Sequence, residues 1–273
     1  MPLISVVTVV YNGDRYLEQT ILSVINQTYE NIEYVIVDGG SSDGTLDIIR
    51  KYEERIDYWV SEPDKGIYDA MNKGIDLSRG ELINLLNADD FFEPDAIATV
   101  VSKYKDDRSH GVIYCNNYVL QEDLSIKYRL YPSMKYWLGM TVYHQTMFVH
   151  EDIYKTIGKY NPNYRFAADY DFFLRAIKNN IKFIYVDRFL VNYRNTGLTS
   201  QNYTTSIREG KKIYKTNFGI FSINWLKYLA MYYKAILLYY LQIMIGSIFG
   251  KLVLNKIKTI YLKKVIAKNY EHI

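Results

Sequence analysis

The chain has 273 residues, 49% hydrophobic and 23% charged, which excludes disorder or fibrous repeats for its bulk and suits one large domain with or without an appendage. Its single cysteine, Cys115, excludes an intramolecular disulfide and a Cys-rich zinc site. The net charge of +3 hides an asymmetry: residues 205–273 carry 12 Lys and Arg against Glu209 and Glu271, a net +10, which leaves −7 on residues 1–204.

Leu3–Val10 is a β-branched run bounded by Tyr11-Asn12-Gly13-Asp14 and reads as a buried strand. No basic n-region precedes it, so no secretory signal is read and a cytoplasmic protein is expected. Leu17, Ile21, Val24 and Ile25 fall at helical spacing. Ile32–Val37 predicts a second strand ending in Asp38-Gly39-Gly40-Ser41-Ser42-Asp43-Gly44-Thr45, then a helix over Leu46–Glu54. A short strand over Ile56–Val60, a helix over Ile67–Leu77 and an apolar strand over Leu82–Leu86 follow. That last strand runs into Asn87-Ala88-Asp89-Asp90, and Pro94 opens a helix to Tyr104. Alternating strands and helices predict an α/β fold with a doubly wound, mainly parallel sheet. Ligands of such sheets sit beyond the carboxyl ends of the strands, where Tyr11–Asp14, Asp38–Asp43 and Asn87–Asp90 gather.

Beyond Gly111 strands are expected over Val112–Leu120, Ile126–Leu130, Val142–Val149, Lys182–Val186 and Leu190–Tyr193, with a helix over Asp169–Lys178. Residues 1–203 read as one domain in two halves, about 1–110 and about 111–203. Residues 204–273 read as a basic, aromatic helical tail. Within it Ala235–Gly250 is uncharged. At about 1.5 Å per residue it falls short of the ~30 Å hydrocarbon core. A helix lying in the interface, anchored by Lys, Tyr and Trp225, is preferred to a spanning one. This accounts for part of the unusual count of 29 tyrosines.

The polar clusters carry competing readings. No G-x-G-x-x-G follows the first strand, so a dinucleotide fold is not indicated. Asp38 is either a ligand to a nucleobase or ribose, or the organiser of an Asx-turn. Asp43 reads as a helix cap. Asn87-Ala88-Asp89-Asp90 offers oxygen ligands to a hard divalent cation. Asp169 and Asp171 point about 200° apart on a helix, so only one faces a shared site. A carboxylate there serves as a general base or a cap.

Taken in order, Val10-Tyr11-Asn12, Asp38–Thr45, Asp64-Lys65-Gly66-Ile67-Tyr68-Asp69-Ala70-Met71-Asn72-Lys73-Gly74 and Leu86-Asn87-Ala88-Asp89-Asp90 resemble the family 2 glycosyltransferases of the GT-A fold. The resemblance covers roughly residues 3–200 and implies that about 1–110 is the nucleotide-sugar half and about 111–203 the acceptor half. It implies an inverting, metal-dependent hexosyl- or N-acetylhexosaminyl-transferase using Mg²⁺ or Mn²⁺ and a nucleotide-diphosphate sugar, UDP-linked by expectation. It further implies that Val9 and Tyr11 hold the base, with Asp38 on its edge, and that Gly66 and Asn72 lie against the donor. Asn87-Ala88-Asp89 matches the family's Asp-x-Asp motif with Asn at its first position. Asp89 is then the metal ligand and Asp90 sits beside the donor sugar. Asp169 matches the family's base, with Ala168 replacing the usual Glu. His144, Gln145 and Arg194 are assigned to the acceptor side, and Arg194–Gln201 to a loop closing over the donor. The expected acceptor is a glycan or lipid-linked hydroxyl in surface polysaccharide or other glycoconjugate assembly. The expected location is the inner face of the cell membrane, with no nucleic-acid partner. Two alternatives compete. One is a catalytically silent nucleotide-sugar-binding subunit. The other is a nucleotidyltransferase, for which Asn12-Gly13-Asp14-Arg15 is a poor loop.

Overall fold

The computed structural model describes residues 1–107, 109–120, 127–194, 202–221 and 223–270. Strand β1 (Ile4–Val10) is buried along its whole length. Its run of valines suits a strand covered on both faces. Alternate residues point to opposite faces. Ile4, Val6 and Val10 pack with helix α1 (Leu17–Ile25), Ile49 of α2 (Thr45–Lys51) and α4 (Ala96–Asp107). Val7 faces the other way, against Gly74 of α3 (Ile67–Leu77).

Strands β2 (Ile32–Asp38) and β4 (Leu82–Asn87) flank β1 in parallel, and β3 (Tyr58–Ser61) extends the sheet beyond β2. On the other side β8 (Met147–His150) pairs antiparallel with β4. Beyond it come β6 (Val112–Leu120), β9 (Phe183–Arg194) and the short β5 (Phe91–Phe92), with β7 (Lys127–Leu130) paired to β6. The order is β3-β2-β1-β4-β8-β6-β9-β5. The doubly wound α/β expectation stands.

Four local differences have physical causes. The expected strand over Val142–Val149 begins as a 3₁₀ turn, His144–Thr146, with β8 following. Helix α5 (Glu151–Ile157) was not expected, and His150 caps it by accepting the Asp152 N–H. The two strands expected between Lys182 and Tyr193 are one. Pairing with β6 jumps from Val186 to Phe189, so Asp187 and Arg188 bulge out, and Asp187 accepts from the Asn116 amide. Phe91-Phe92, too short to read as a strand, pairs with Val191-Asn192.

Helix α6 (Ala168–Lys178) carries Phe172 and Phe173 into the core. Helix α7 (Tyr203–Phe218) packs on it, with Ile213 and Tyr214 buried. Its Glu209 accepts the backbone N–H groups of Arg165 and Phe166. The chain splits into two compact units, Met1–Ser222 and Ile223–Ile273. The second unit is one helix, α8 (Ile223–Tyr270). Its segment Ile223–Ile245, with mean hydropathy 1.2, is long and apolar enough by composition to cross a bilayer. Its 23 residues span about 34 Å at the helical rise, more than the uncharged stretch alone provides.

Candidate active site

The chain leaves β1 toward β2 and later returns to β4 on its other side, so the carboxyl ends of β1, β2 and β4 frame a topological switch point. Two loops there are tied together. Asn12, in the left-handed region at φ 49°, accepts the Ser42 N–H through Oδ1 and donates its own N–H to Ser41 Oγ. Asp38 is fully buried, and its Oδ2 accepts from Gly40 N, Ser41 N and Ser61 Oγ, its Oδ1 from Ser41 Oγ. Its carboxylate is engaged in building the turn, the geometry of an Asx-turn. Asp43 accepts from Thr45 N and Asp14 N. Burial works against its charge, but these hydrogen bonds hold its carboxyl below the ordinary value.

On this frame the Tyr11 ring is 66% exposed and lies over Gly39. A Cβ at Gly39 would collide with the Asp64 carboxylate, so glycine lets the loop ending β2 approach the segment before α3. Asp64 in turn accepts the Gly66 N–H. Gly66 adopts φ 119°, which a side chain would strain, and faces open space. Val9 lies within the sheet, paired with Val37 and Asn87, below Tyr11. A flat ring beside a bare backbone and a carboxylate suits a planar base with hydrogen-bonding edges.

The loop after β4 divides its two carboxylates. Asp90 is fully buried. Its Oδ1 accepts the Arg194 N–H at 2.9 Å, and Thr20 donates to the carbonyls of Ala88 and Asp90. Burial, reinforced by the charge of Asp89, pushes its carboxyl well above the usual carboxylate range, with Arg194 opposing. Arg194 is itself buried, its guanidinium 4.4 Å from the Tyr16 ring and 5.0 Å from that of Phe91, donating to the Asp89 carbonyl and to Gln19. Two expectations change here. Asp90 and Arg194 brace the loop from beneath, because desolvated groups of this kind stay buried only when held by partners. Neither opens onto a donor or acceptor surface. Asn87, Ala88 and Asp89 remain part-exposed at the strand end. An amide oxygen and a carboxylate there are the hard donors a Mg²⁺ or Mn²⁺ ion takes, so these residues fit the implied metal.

The third part comes from α6. Asp169, with its side chain 17% exposed, accepts the Tyr68 hydroxyl at 3.1 Å through Oδ1. Burial, then the Asp169 charge, pushes the Tyr68 hydroxyl well above the usual tyrosine range, so it stays a donor. Oδ2 lies 3.5 Å from His144 Nδ1, and His144 Nε2 lies 3.3 Å from Asn87 Oδ1. One imidazole therefore touches both the strand-end motif and the helix-start carboxylate. Asp171 turns away and pairs with Arg175 at 2.8 Å, as the helical angle required.

Asn72 is engaged elsewhere in this structure. It clamps the backbone of Tyr160, donating to its carbonyl at 2.8 Å and accepting its N–H at 3.0 Å. Gln145 is fully buried beside β4, where Asn84 donates to its backbone carbonyl. The proposed closing loop at 195–201 lies outside the described residues. Asp64 and Tyr68 lay inside a quoted motif but had no individual role. Tyr68 meets Asp169 across 101 positions of sequence, a contact no local signal marks.

A model of the glycosyl transferase family 2 matches residues 5–168. A PGL/p-HBAD biosynthesis glycosyltransferase of Mycobacterium bovis is 31% identical over 183 residues, spanning 65% of this chain and 71% of that protein. S. aureus TarS superposes with a TM-score of 0.64 at 17% identity, over 85% of this chain and 43% of TarS, so the chain spans less than half that protein. Its 1–349 portion in complex with UDP-GlcNAc gives 0.63, over 79% of this chain and 67% of that one. The mannosyltransferase PcManGT from Pyrobaculum calidifontis, in complex with GDP-Man and Mn²⁺, gives 0.62 at 14% identity, over 98% of this chain and 82% of that one.

Proposed function

Because the chain belongs to glycosyltransferase family 2, with its GT-A-like fold, we propose that it is an inverting enzyme in which Asp169 is the general base and the Asn87–Asp89 loop receives the donor diphosphate. The observation that carries this reading is His144, within 3.3 Å of Asn87 and 3.5 Å of Asp169. It sets the base and the donor loop on opposite sides of one ring. In the reaction Asp169 takes the proton of the acceptor hydroxyl, and the oxygen attacks the anomeric carbon from the face opposite the diphosphate. One displacement gives inversion. Tyr68 holds the carboxylate in place through Oδ1. Asp89, with Asn87 beside it, would hold a divalent cation, which would supply positive charge against the departing nucleotide diphosphate. Tyr11, Gly39 and Asp64 receive the base.

A UDP-linked sugar is the proposed donor, supported by the TarS complex with UDP-GlcNAc. The proposed acceptor is a lipid-linked glycan reached from the inner face of the membrane. Support comes from the apolar segment Ile223–Ile245 within a tail of net charge +10. The test is release of nucleotide diphosphate from a panel of sugar nucleotides, with Mn²⁺ and with a chelator. Turnover with one donor, lost on chelation and in Asp89→Ala, is expected. Donor binding without any turnover would support a silent subunit instead, and full activity under chelation would refute the metal role.

A further inference from the structure

The rings of Tyr143 and Tyr193 stack, their centroids 5.5 Å apart and their planes 30° from parallel. We propose that this pair forms the subsite for the sugar being transferred, with the rings as its apolar wall and the two phenol hydroxyls as hydrogen-bond partners of the sugar's own. It rests on the reading above, in which Asp89 marks the diphosphate and Asp169 the attacking oxygen.

Each ring stands on backbone that the active site already fixes. Tyr143 precedes the turn His144–Thr146, and its carbonyl accepts the Thr146 N–H at 2.9 Å and the Thr146 hydroxyl at 2.7 Å. The next residue, His144, touches both Asn87 and Asp169. Tyr193 is the last residue but one of β9. Its neighbour Arg194 bonds to Asp90 through its N–H and to the Asp89 carbonyl through its guanidinium. One tyrosine therefore comes from the side of the base and the other from the side of the diphosphate loop. Burial above all, with the charges of Asp90, Asp89 and Asp169 adding to it, raises the Tyr193 hydroxyl above the usual tyrosine range. Burial, then the charge of Asp169, raises that of Tyr143. Both hydroxyls stay protonated near neutral pH and are donors.

Both side chains are part-buried, yet among the described residues neither hydroxyl has a hydrogen-bond partner. A polar group in such a place is satisfied by water or by a ligand. A hexose is amphipathic in the way tyrosine is, with C–H faces and a rim of hydroxyls, so the two surfaces are complementary. In a single displacement the reacting sugar lies between the leaving diphosphate and the base that serves the attacking oxygen. Tyr193 is the ring acted on by carboxylates from both sides, Asp89 and Asp169. Tyr143 leads into β8 and Tyr193 lies on β9, both beyond β4 from the β1 and β2 ends where Tyr11 and Gly39 stand. The diphosphate loop after β4 therefore separates this pair from the base subsite.

Tyr143→Phe and Tyr193→Phe keep the stacked rings, and removing an unpartnered hydroxyl takes no bond from the fold. The experiment measures calorimetric affinity of the full chain, with Mn²⁺, for a panel of sugar nucleotides and for the matching nucleoside diphosphates. It compares the parent with the two variants, singly and together, and records Tm. Each lost hydroxyl should weaken binding of the preferred sugar nucleotide by roughly two- to tenfold, the worth of one neutral hydrogen bond. Affinity for the nucleoside diphosphate and Tm should stay as in the parent. Sugar-nucleotide affinity within about twofold of the parent in the double variant would overturn the subsite. So would an equal loss for the nucleoside diphosphate, which would set the tyrosines against the nucleotide. A higher KM for the acceptor with donor affinity unchanged would overturn it too, by placing the acceptor there. A parent that binds no nucleoside diphosphate would refute the donor reading and the subsite with it, whereas intact binding indifferent to both substitutions would refute the subsite alone.

Discussion

Replacing Asp169 by Asn separates chemistry from architecture at the proposed base. In the native chain Oδ1 accepts the Tyr68 hydroxyl at 3.1 Å and the Tyr170 N–H at 2.8 Å, while Oδ2 stands 3.5 Å from His144. Asn has the same shape and keeps an oxygen in the Oδ1 position, so both hydrogen bonds survive. What the fold loses is a long, partly solvated charge contact, about 1 kcal/mol or less. What the reaction loses is the only oxygen that takes the acceptor proton. A positioned general base contributes about 10²–10⁴ in rate, which is about 2.7–5.5 kcal/mol of barrier. The assay is steady-state release of nucleotide diphosphate, with donor affinity and Tm measured on the same preparation. Asp169→Asn should lose kcat by that factor with donor affinity and Tm nearly unchanged. Retention of more than about one-tenth of kcat by a folded protein would refute the assignment.

Three other outcomes are expected. Glu33 is buried and accepts from Ser5 Oγ at 2.5 Å and from Arg79 N and Nε at 2.7 and 2.5 Å. Burial alone would raise its carboxyl, but these bonds hold it below the ordinary 4.5. Its stabilisation is therefore full above that value and lost as pH falls through the lower folded one. Glu33→Gln should cost about 1.5–3 kcal/mol at pH 7 and flatten the acid slope, read by urea unfolding from pH 3 to 7; an unchanged slope would exclude Glu33. Asn72→Ala removes both bonds to the Tyr160 backbone and should cost about 1–3 kcal/mol, with kcat falling because Tyr160 stacks on Tyr68 at 5.7 Å. Unaltered unfolding would show that clamp to be idle. Deleting 223–273 should abolish flotation with anionic vesicles while leaving a folded, soluble enzyme, and equal flotation would place the membrane contact elsewhere.

The first hundred residues were legible because their code is local. The apolar run of β1 and the 3.6-residue spacing of α1 and α3 each declare an element without reference to the rest of the chain. Turn residues mark where those strands end, so the switch point and its three polar clusters were placed before any packing was known. Residues 111–203 were less legible. A strand of two residues, a 3₁₀ turn before β8 and a bulge at Asp187-Arg188 are fixed by pairing with distant strands, and their own composition barely differs from loop.

Among the candidate residues the division is the same. Sequence alone determined where the candidate groups stand: Asp89 after an apolar strand, Asp169 at a helix start, and a +10 tail with an apolar core. Residue type and local position are enough for that. Only the tertiary structure decided which carboxylates and amides are open to a ligand. Asp38, Asn72, Asp90 and Arg194 have suitable chemistry and suitable positions, yet Asp38 is held by the turn it starts and by Ser61, Asn72 by the Tyr160 backbone, and Asp90 and Arg194 by each other's segments. A buried polar group must be paired wherever the fold puts it. Its partner is set by the three-dimensional arrangement, so neither the pairing of Asp90 with Arg194 nor the meeting of Tyr68, His144 and Asp169 is written in any one stretch of chain.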